Sequence, residues 1–276
     1  MRVVVCALAK NEHKYINEWV KHYFSIGVDK IFLFDNDDKD SPNIKDFIDK
    51  QYLPKMKIIN ARGVHFDKMQ SKFYYNFYKN EKENFEWCLF CDVDEFLTGI
   101  TDIKHFLSKK RFNNFEQIRI KWKLFGDDDL IERDMTKGVM KTFTKEAKIT
   151  LTSNLQEECK LYNQGKCIVK GHLNNVVFNS VHFASKMSFL NPILLRSCLP
   201  SGRQCLSLVE IKEDYSYEHL FINHYMTKSL SEFVEQKLKR TDAVFANRTL
   251  KLDYYWRINK KTPEKMKYLQ DMGLEK

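Results

Sequence analysis

A chain of 276 residues with 43% hydrophobic side chains is long enough to bury one substantial core and too apolar to be disordered throughout. Its net charge of +9 and pI near 9.0 favour polyanionic partners such as phosphorylated small molecules or an anionic membrane surface. The lysines are spread along the chain, and no helix-turn-helix, zinc-finger or RNP-type pattern accompanies them, so no nucleic-acid partner is expected.

Met1-Arg2 runs straight into Val3 to Leu8 and then Lys10, Asn11 and Glu12, a pattern that does not resemble a signal peptide, so none is expected, and no stretch of about 18 apolar residues reads as a membrane span. The seven cysteines are odd in number and scattered, as expected of reduced thiols in a cytoplasmic protein. Cys88 and Cys91 form a C-x-x-C pair, but no second pair stands at zinc-site spacing, so both read as core.

The first half alternates in the way a parallel half-sheet does. Arg2 to Leu8 reads as a buried strand, and Asn11 to Ser25 as an amphipathic helix with Tyr15, Ile16, Trp19, Val20, Tyr23 and Phe24 on its apolar face, closed by Gly27. Lys30 to Phe34 is a second strand that runs into Asp35-Asn36-Asp37-Asp38 and a Ser41-Pro42 turn. Ile44 to Lys50 reads as a helix, Met56 to Asn60 as a strand, Lys68 to Asn84 as an aromatic-rich helix, and Trp87 to Phe90 as a buried strand. Farther on, Phe115 to Leu124 alternates as a strand, Phe125 to Asp129 is a loop, Ile168 to Phe183 carries two short β-like runs, and the chain from Ser229 onward reads as helical and basic.

The most informative run is Trp87 to Phe96, an apolar strand that breaks into Asp92, Asp94 and Glu95 where open α/β sheets bind ligands. Residues at i and i+2 of a strand share a face, so Asp92 and Asp94 are expected to converge on one point, with a hard divalent cation such as Mg²⁺ or Mn²⁺ between them and a phosphate as its further ligand. The plainer alternative is a solvated turn at a strand end.

Three segments together resemble glycosyltransferases of the GT-A fold, in particular the family 2-like and family 92-like group. They are Cys6 to Glu12 with Glu18-Trp19 and Phe34-Asp35-Asn36; Trp87 to Phe96 with its Asp92-Val93-Asp94; and Asn223 to Ser229 with Glu232-Phe233 and Lys237. The resemblance spans Arg2 to about Arg240. It implies a Rossmann-like, mostly parallel α/β sheet flanked by helices, with residues 1–228 as the catalytic domain (1–100 binding the nucleotide sugar, 101–228 the acceptor) and 229–276 as a basic helical extension. It further implies a nucleotide-sugar donor, with a UDP-sugar expected, and a glycan or lipid-linked acceptor. Asp92, Asp94 and His224 would hold the Mn²⁺ or Mg²⁺. Ala7, Lys10, Asn11, Glu12, Asp35, Gln70, Asp92 and Val93 would line the donor, and Glu95, Trp122 and His182 would contact donor or acceptor. The group's Trp-x-x-Phe-Gly pattern survives as Trp122 to Gly126, and one of Asp127, Asp128, Asp129 or Glu132 is expected as the base for an inverting transfer.

Two other readings compete with this one. Ile31 to Asp37 also matches an apolar strand ending in Asp-x-Asp, as in haloacid-dehalogenase-like phosphatases with Asp35 and Asp37 as nucleophile and acid, but Asp38-Lys39 replaces that family's next residues. A non-catalytic glycan- or membrane-binding protein is the other. The C-terminal segment sets Leu230, Phe233, Val234, Leu238, Val244 and Phe245 at near-helical spacing. Its Lys237, Lys239, Arg240, Arg248, Lys251, Arg257, Lys260 and Lys261, with Tyr254 to Trp256, lead to the expectation of peripheral contact with an anionic membrane.

Overall fold

The computed structural model describes residues 1–147, 163–189, 191–206, 211, 220–238 and 251–275. The parallel half-sheet is present. Strands β1 (Val3–Ala9), β2 (Lys30–Asp35), β3 (Met56–Asn60) and β4 (Trp87–Phe90) lie side by side in the order β3-β2-β1-β4, all parallel. Helices α1 (Ile16–Ser25) and α2 (Met69–Glu81) provide the crossovers. Ile16, Trp19, Val20 and Tyr23 bury the predicted apolar face of α1, but the helix starts later than its periodicity suggests. Asn11 takes a left-handed φ of 59°, which turns the chain after β1 before α1 can begin. The helix expected over Ile44 to Lys50 is only a short 3₁₀ turn, Ile44–Phe47, capped by the Asn43 side chain.

The second half extends the same sheet. Strand β5 (Glu95–Thr98) follows the acidic turn, β6 is Gln117–Leu124, and β7 is Gly165–Lys170. Between β5 and β6 lies α3 (Ile103–Leu107), and after β6 a short α4 (Val139–Thr142). Strand β7 is antiparallel to both β4 and β6, which leaves β6 parallel to the first four strands. Gly165 permits this pairing, because a Cβ there would lie 1.8 Å from the Ile120 carbonyl oxygen.

Strands β8 (Val176–Val177), β9 (Ser185–Met187) and β10 (Pro192–Leu194) form a small antiparallel sheet of their own. Strands β11 (Ser197–Cys198) and β12 (Gln204–Cys205) then rejoin the main sheet beyond β6. The last strand, β13 (Phe221–His224), lies between β5 and β6, antiparallel to one and parallel to the other. Neither β5 nor β13 is legible in the sequence, since each is four residues long and its partner is distant. Helices α5 (Leu230–Gln236), α6 (Leu252–Trp256) and α7 (Pro263–Asp271) follow. The result is an α/β protein with a mixed, mostly parallel central sheet flanked by helices.

Two apolar layers sandwich the sheet. Val3, Val5 and Leu89 join the α1 layer, and Val4, Cys6 and Cys88 join the α2 layer, as the period-2 alternation of buried strands requires. Cys91 belongs to the α1 layer and Cys88 to the other, so the two sulfurs face opposite sides of the sheet. The six described cysteines are all buried free thiols. Tyr255 is fully buried and packs with Leu230, Phe233 and Leu269, so that residue of the predicted interfacial aromatic cluster is core. Lys239, Arg240, Val244, Phe245 and Arg248 lie outside the described residues.

Candidate active site

The acidic run forms a tight turn between β4 and β5, and Asp92 and Asp94 do not lie in the strand itself. The Asp92 N–H donates to Glu95 Oε2 at 2.9 Å, the Glu95 N–H returns to the Asp92 carbonyl at 3.2 Å, and Val93 tucks into the core. The strand rule for i and i+2 therefore does not apply, and each aspartate meets its own set of partners. Helix α1 holds the turn in place. Trp19 Nε1 donates to the carbonyls of Asp92 (3.1 Å) and Glu95 (3.0 Å), and the Tyr23 hydroxyl donates to the Glu95 carbonyl at 3.0 Å.

Asp92 meets Lys166 and Gln70. The antiparallel register pairs Phe90 with Cys167, so Lys166 stands beside the end of β4, its Nζ 2.8 Å from Asp92 Oδ2 and 3.8 Å from Glu95 Oε2. Gln70 Nε2 donates to Asp92 Oδ1. Burial opposes the charged form of Asp92, but the Lys166 ammonium outweighs it and lowers the carboxyl below its usual range. Glu95, fully buried and weakly compensated, is pushed up instead, by burial first. The Lys166 ammonium is held more firmly protonated than usual, because its two carboxylates overcome the burial that works against its charge.

Asp94 meets His224 and Lys237. Strand β13 pairs His224 opposite Glu95 and beside Leu124, which sets the imidazole Nε2 3.7 Å from Asp94 Oδ1 and its ring 4.4 Å from that of Trp122. Lys237, at the end of α5, donates to Asp94 Oδ2 at 2.8 Å. Burial would raise the Asp94 carboxyl; Lys237, His224 and Lys228 hold it well below the usual range. Burial lowers His224 to about 4, which keeps it neutral at pH 7, and its Nδ1 has no hydrogen-bond partner among the described residues. Helix α5 is anchored by a Ser229–Glu232 capping box. Glu232 also accepts from the Tyr15 hydroxyl at 2.7 Å and from Arg133 Nε at 3.0 Å.

A third lysine completes the ring. Lys228 is 2% exposed and takes a left-handed φ of 56°, with its Nζ 3.8 Å from Glu12 Oε2 and 4.0 Å from the centre of the Tyr15 ring. Its ammonium makes no hydrogen bond among the described residues. A buried cation with three unsatisfied donors is costly unless an anion completes it.

Beside this centre the loop after β2 is rigidly held. Asp37 is fully buried, with Oδ1 accepting the Asn11 N–H at 2.6 Å and Oδ2 3.0 Å from His13 Nε2, and burial raises its carboxyl. Asp35, 2% exposed, accepts the Asp37 N–H and lies 3.9 Å from Arg62. Neither carboxylate is presented to solvent as a phosphatase nucleophile would be. Lys10 pairs with Asp38 at 3.6 Å, and Ala7 lies within the α1 layer of the core.

The chain is similar to a glycosyltransferase family 92 protein of Ricinus communis. The two are 25% identical over 189 residues, 64% of this chain and 30% of that protein, so the chain spans less than a third of the relative's length. No family model matches.

The remaining predicted residues fall into two groups. His182 belongs with the centre: its ring meets that of Trp122 edge to face at 5.1 Å, its Nδ1 faces the Gly165 carbonyl, and burial lowers it to about 3. The acidic loop after β6 is largely held by structural contacts. Asp127 is buried against the Tyr255 hydroxyl and Lys265, and its N–H donates to Asn259. Asp128 caps Thr144 and Lys145, and Asp129 stands 3.7 Å from both Lys145 and Lys265. Glu132 is exposed. Among the described residues, no cluster of three or more His, Cys, Asp or Glu side chains stands ready as a metal cage. The oxygens of Asp92, expected as one of three ligands, are occupied by Gln70 and Lys166.

Sequence reasoning passed over the three lysines as partners of the carboxylates. The local signal for Lys166 is a lysine directly joined to the apolar run Cys167-Ile168-Val169, where an unpaired charge would not be tolerated. Lys228 and Lys237 carry no such mark, because their burial depends on α5 folding over the acidic turn.

Proposed function

We propose that the protein is a glycosyltransferase with a GT-A-like fold, moving a sugar from a nucleotide sugar, with UDP the expected nucleotide, to a hydroxyl of a glycan or lipid-linked saccharide. The observation that carries this reading is the centre at the carboxyl ends of the parallel strands. There Asp92, Asp94 and Glu95 are ringed by the buried ammonium groups of Lys166, Lys228 and Lys237. Similarity to a family 92 protein supports the reaction class.

Sugar transfer places growing negative charge on a departing nucleoside diphosphate. Preorganised cations in a water-poor cleft are worth most against such charge. Lys228, with no hydrogen bond among the described residues, is the natural donor to a phosphate oxygen. Lys237 and Lys166 hold Asp94 and Asp92 ionised. Asp35 and the Asn11 turn stand at the ends of β2 and β1, beside which open α/β sheets place a nucleotide.

A divalent cation, Mn²⁺ or Mg²⁺, fits two donors: Asp94 Oδ1 and His224 Nε2 are too far apart for a hydrogen bond at 3.7 Å, and the imidazole is neutral as coordination requires. The donor's own phosphates would complete the shell, as is usual for such ions, and the cation would add Lewis-acid neutralisation of the leaving group. For the proton leaving the acceptor hydroxyl, Glu132 is the candidate base, since Asp127 and Asp128 spend their oxygens on structural contacts.

The test is a donor screen that measures release of nucleoside diphosphate from a panel of sugar nucleotides, with and without Mn²⁺, in wild type, Asp94→Ala and Glu132→Gln. Activity on one donor that falls ~10²-fold or more in Asp94→Ala supports the reading. Absence of transfer from every donor refutes it.

A further inference from the structure

The hairpin of β9 and β10 carries an apolar tip that no other described residue covers. Phe189 is 99% exposed, Met187 and Ile193 are each 51% exposed, and Ser188 N–H to Asn191 carbonyl closes the turn at 3.2 Å. A soluble surface seldom leaves an aromatic ring wholly in water beside two further large apolar side chains. The base of the hairpin is firmly held: Ala184 exchanges hydrogen bonds with the buried Gln117 side chain, and Leu195 and Val176 join the α2 layer of the core. The tip is therefore an apolar projection on a fixed mount.

The sequence that carries it bears one sign of charge. From Cys159 to Val209 the sequence contains no Asp or Glu, although the chain holds 37 acidic residues in 276. The same stretch supplies Lys186, opposite Ile193 in the hairpin register, and the exposed Arg203, while the exposed Arg196 pairs with Glu116 at 3.5 Å near the base of the hairpin. An apolar tip within an acid-free, basic stretch is what an anionic bilayer selects, since the rings enter the headgroup boundary while cations meet lipid phosphates.

We propose that the β9–β10 hairpin docks this protein on an anionic lipid bilayer, with Phe189 inserted at the interface. His182, which stands three residues before β9, belongs to the candidate active site, so the docking element and the site wall are one continuous segment. The proposal moves the expected membrane contact away from the C-terminal aromatic cluster, whose Tyr255 is buried. It does not depend on sugar transfer, because vesicle binding requires no donor.

The experiment is co-sedimentation of the full chain with vesicles of phosphatidylcholine alone or with about a third phosphatidylglycerol, at low salt and at about 0.5 M salt, where charge attraction is screened. Wild type should pellet with the anionic vesicles at low salt only. Phe189→Ser should lower partitioning by about tenfold to a hundredfold, the factor for burying one large apolar side chain. Because the Phe189 side chain is 99% exposed, the circular dichroism and melting of Phe189→Ser should match wild type. Three results would overturn the proposal: no binding of wild type to anionic vesicles at low salt, equal binding of Phe189→Ser, or a dimer that Phe189→Ser dissociates while neither protein binds vesicles.

Discussion

Lys237→Met tests whether α5 is tied to the acidic turn by charge. Lys237 and Asp94 expose only 9% and 6% of their side chains and meet at 2.8 Å, so removing the ammonium leaves a carboxylate buried beside a neutral imidazole. Breaking a buried pair from one side costs about 3–5 kcal/mol, and Lys228 still acts on Asp94, which places the loss near ~3 kcal/mol. With an unfolding entropy of about 2.1 cal/mol/K per residue, 276 residues give ~0.58 kcal/mol/K, so the melting temperature should fall by about 5 °C. The Asp94→Asn change in the Lys237→Met background removes the stranded charge and should recover part of the loss, with a coupling of ~1–3 kcal/mol in the double-mutant cycle. Urea unfolding of the four proteins, with melting followed by circular dichroism, measures these quantities. Additive losses, with coupling under about 0.5 kcal/mol, would show that the pair does not hold α5 and would refute the argument.

The other expected outcomes concern the sheet, the nucleotide loop and acid. Gly165→Ala should cost ~4 kcal/mol or more or abolish soluble expression, since the new methyl would strike the Ile120 carbonyl; a fold of normal melting temperature would mean that β6 and β7 pair more loosely. Asp35→Ala should weaken UDP binding in calorimetry with no phosphatase activity to lose, whereas phosphomonoester hydrolysis that disappears in Asp35→Asn would favour the phosphatase reading. His182 is about 3 in the fold against about 6.5 unfolded, so the unfolded chain takes up a proton first and the fold loses stability as pH falls through that window. The stability advantage of wild type over His182→Gln should accordingly shrink between pH 7 and pH 4 in urea titrations, and a constant difference would mean that burial does not hold the ring neutral.

The local pattern of the chain determined the parallel half-sheet and the place of the acidic turn. Apolar runs such as Val3 to Leu8 and Trp87 to Phe90 are strands in almost any context because both their faces must be buried, and α1 declares its buried face through the spacing of Ile16, Trp19, Val20 and Tyr23. Only tertiary structure decided what the carboxylates meet. Lys166 reaches Asp92 through the antiparallel register of β7 on β4, His224 reaches Asp94 because a four-residue strand enters between β5 and β6, and Lys237 arrives on a helix anchored through Glu232, Tyr15 and Arg133. Those partners lie 74 to 143 residues away along the chain. Local periodicity has no reach over such distances. The energy that selects these pairings is the cost of leaving charges buried without a partner, and that cost exists only once the core has closed around them.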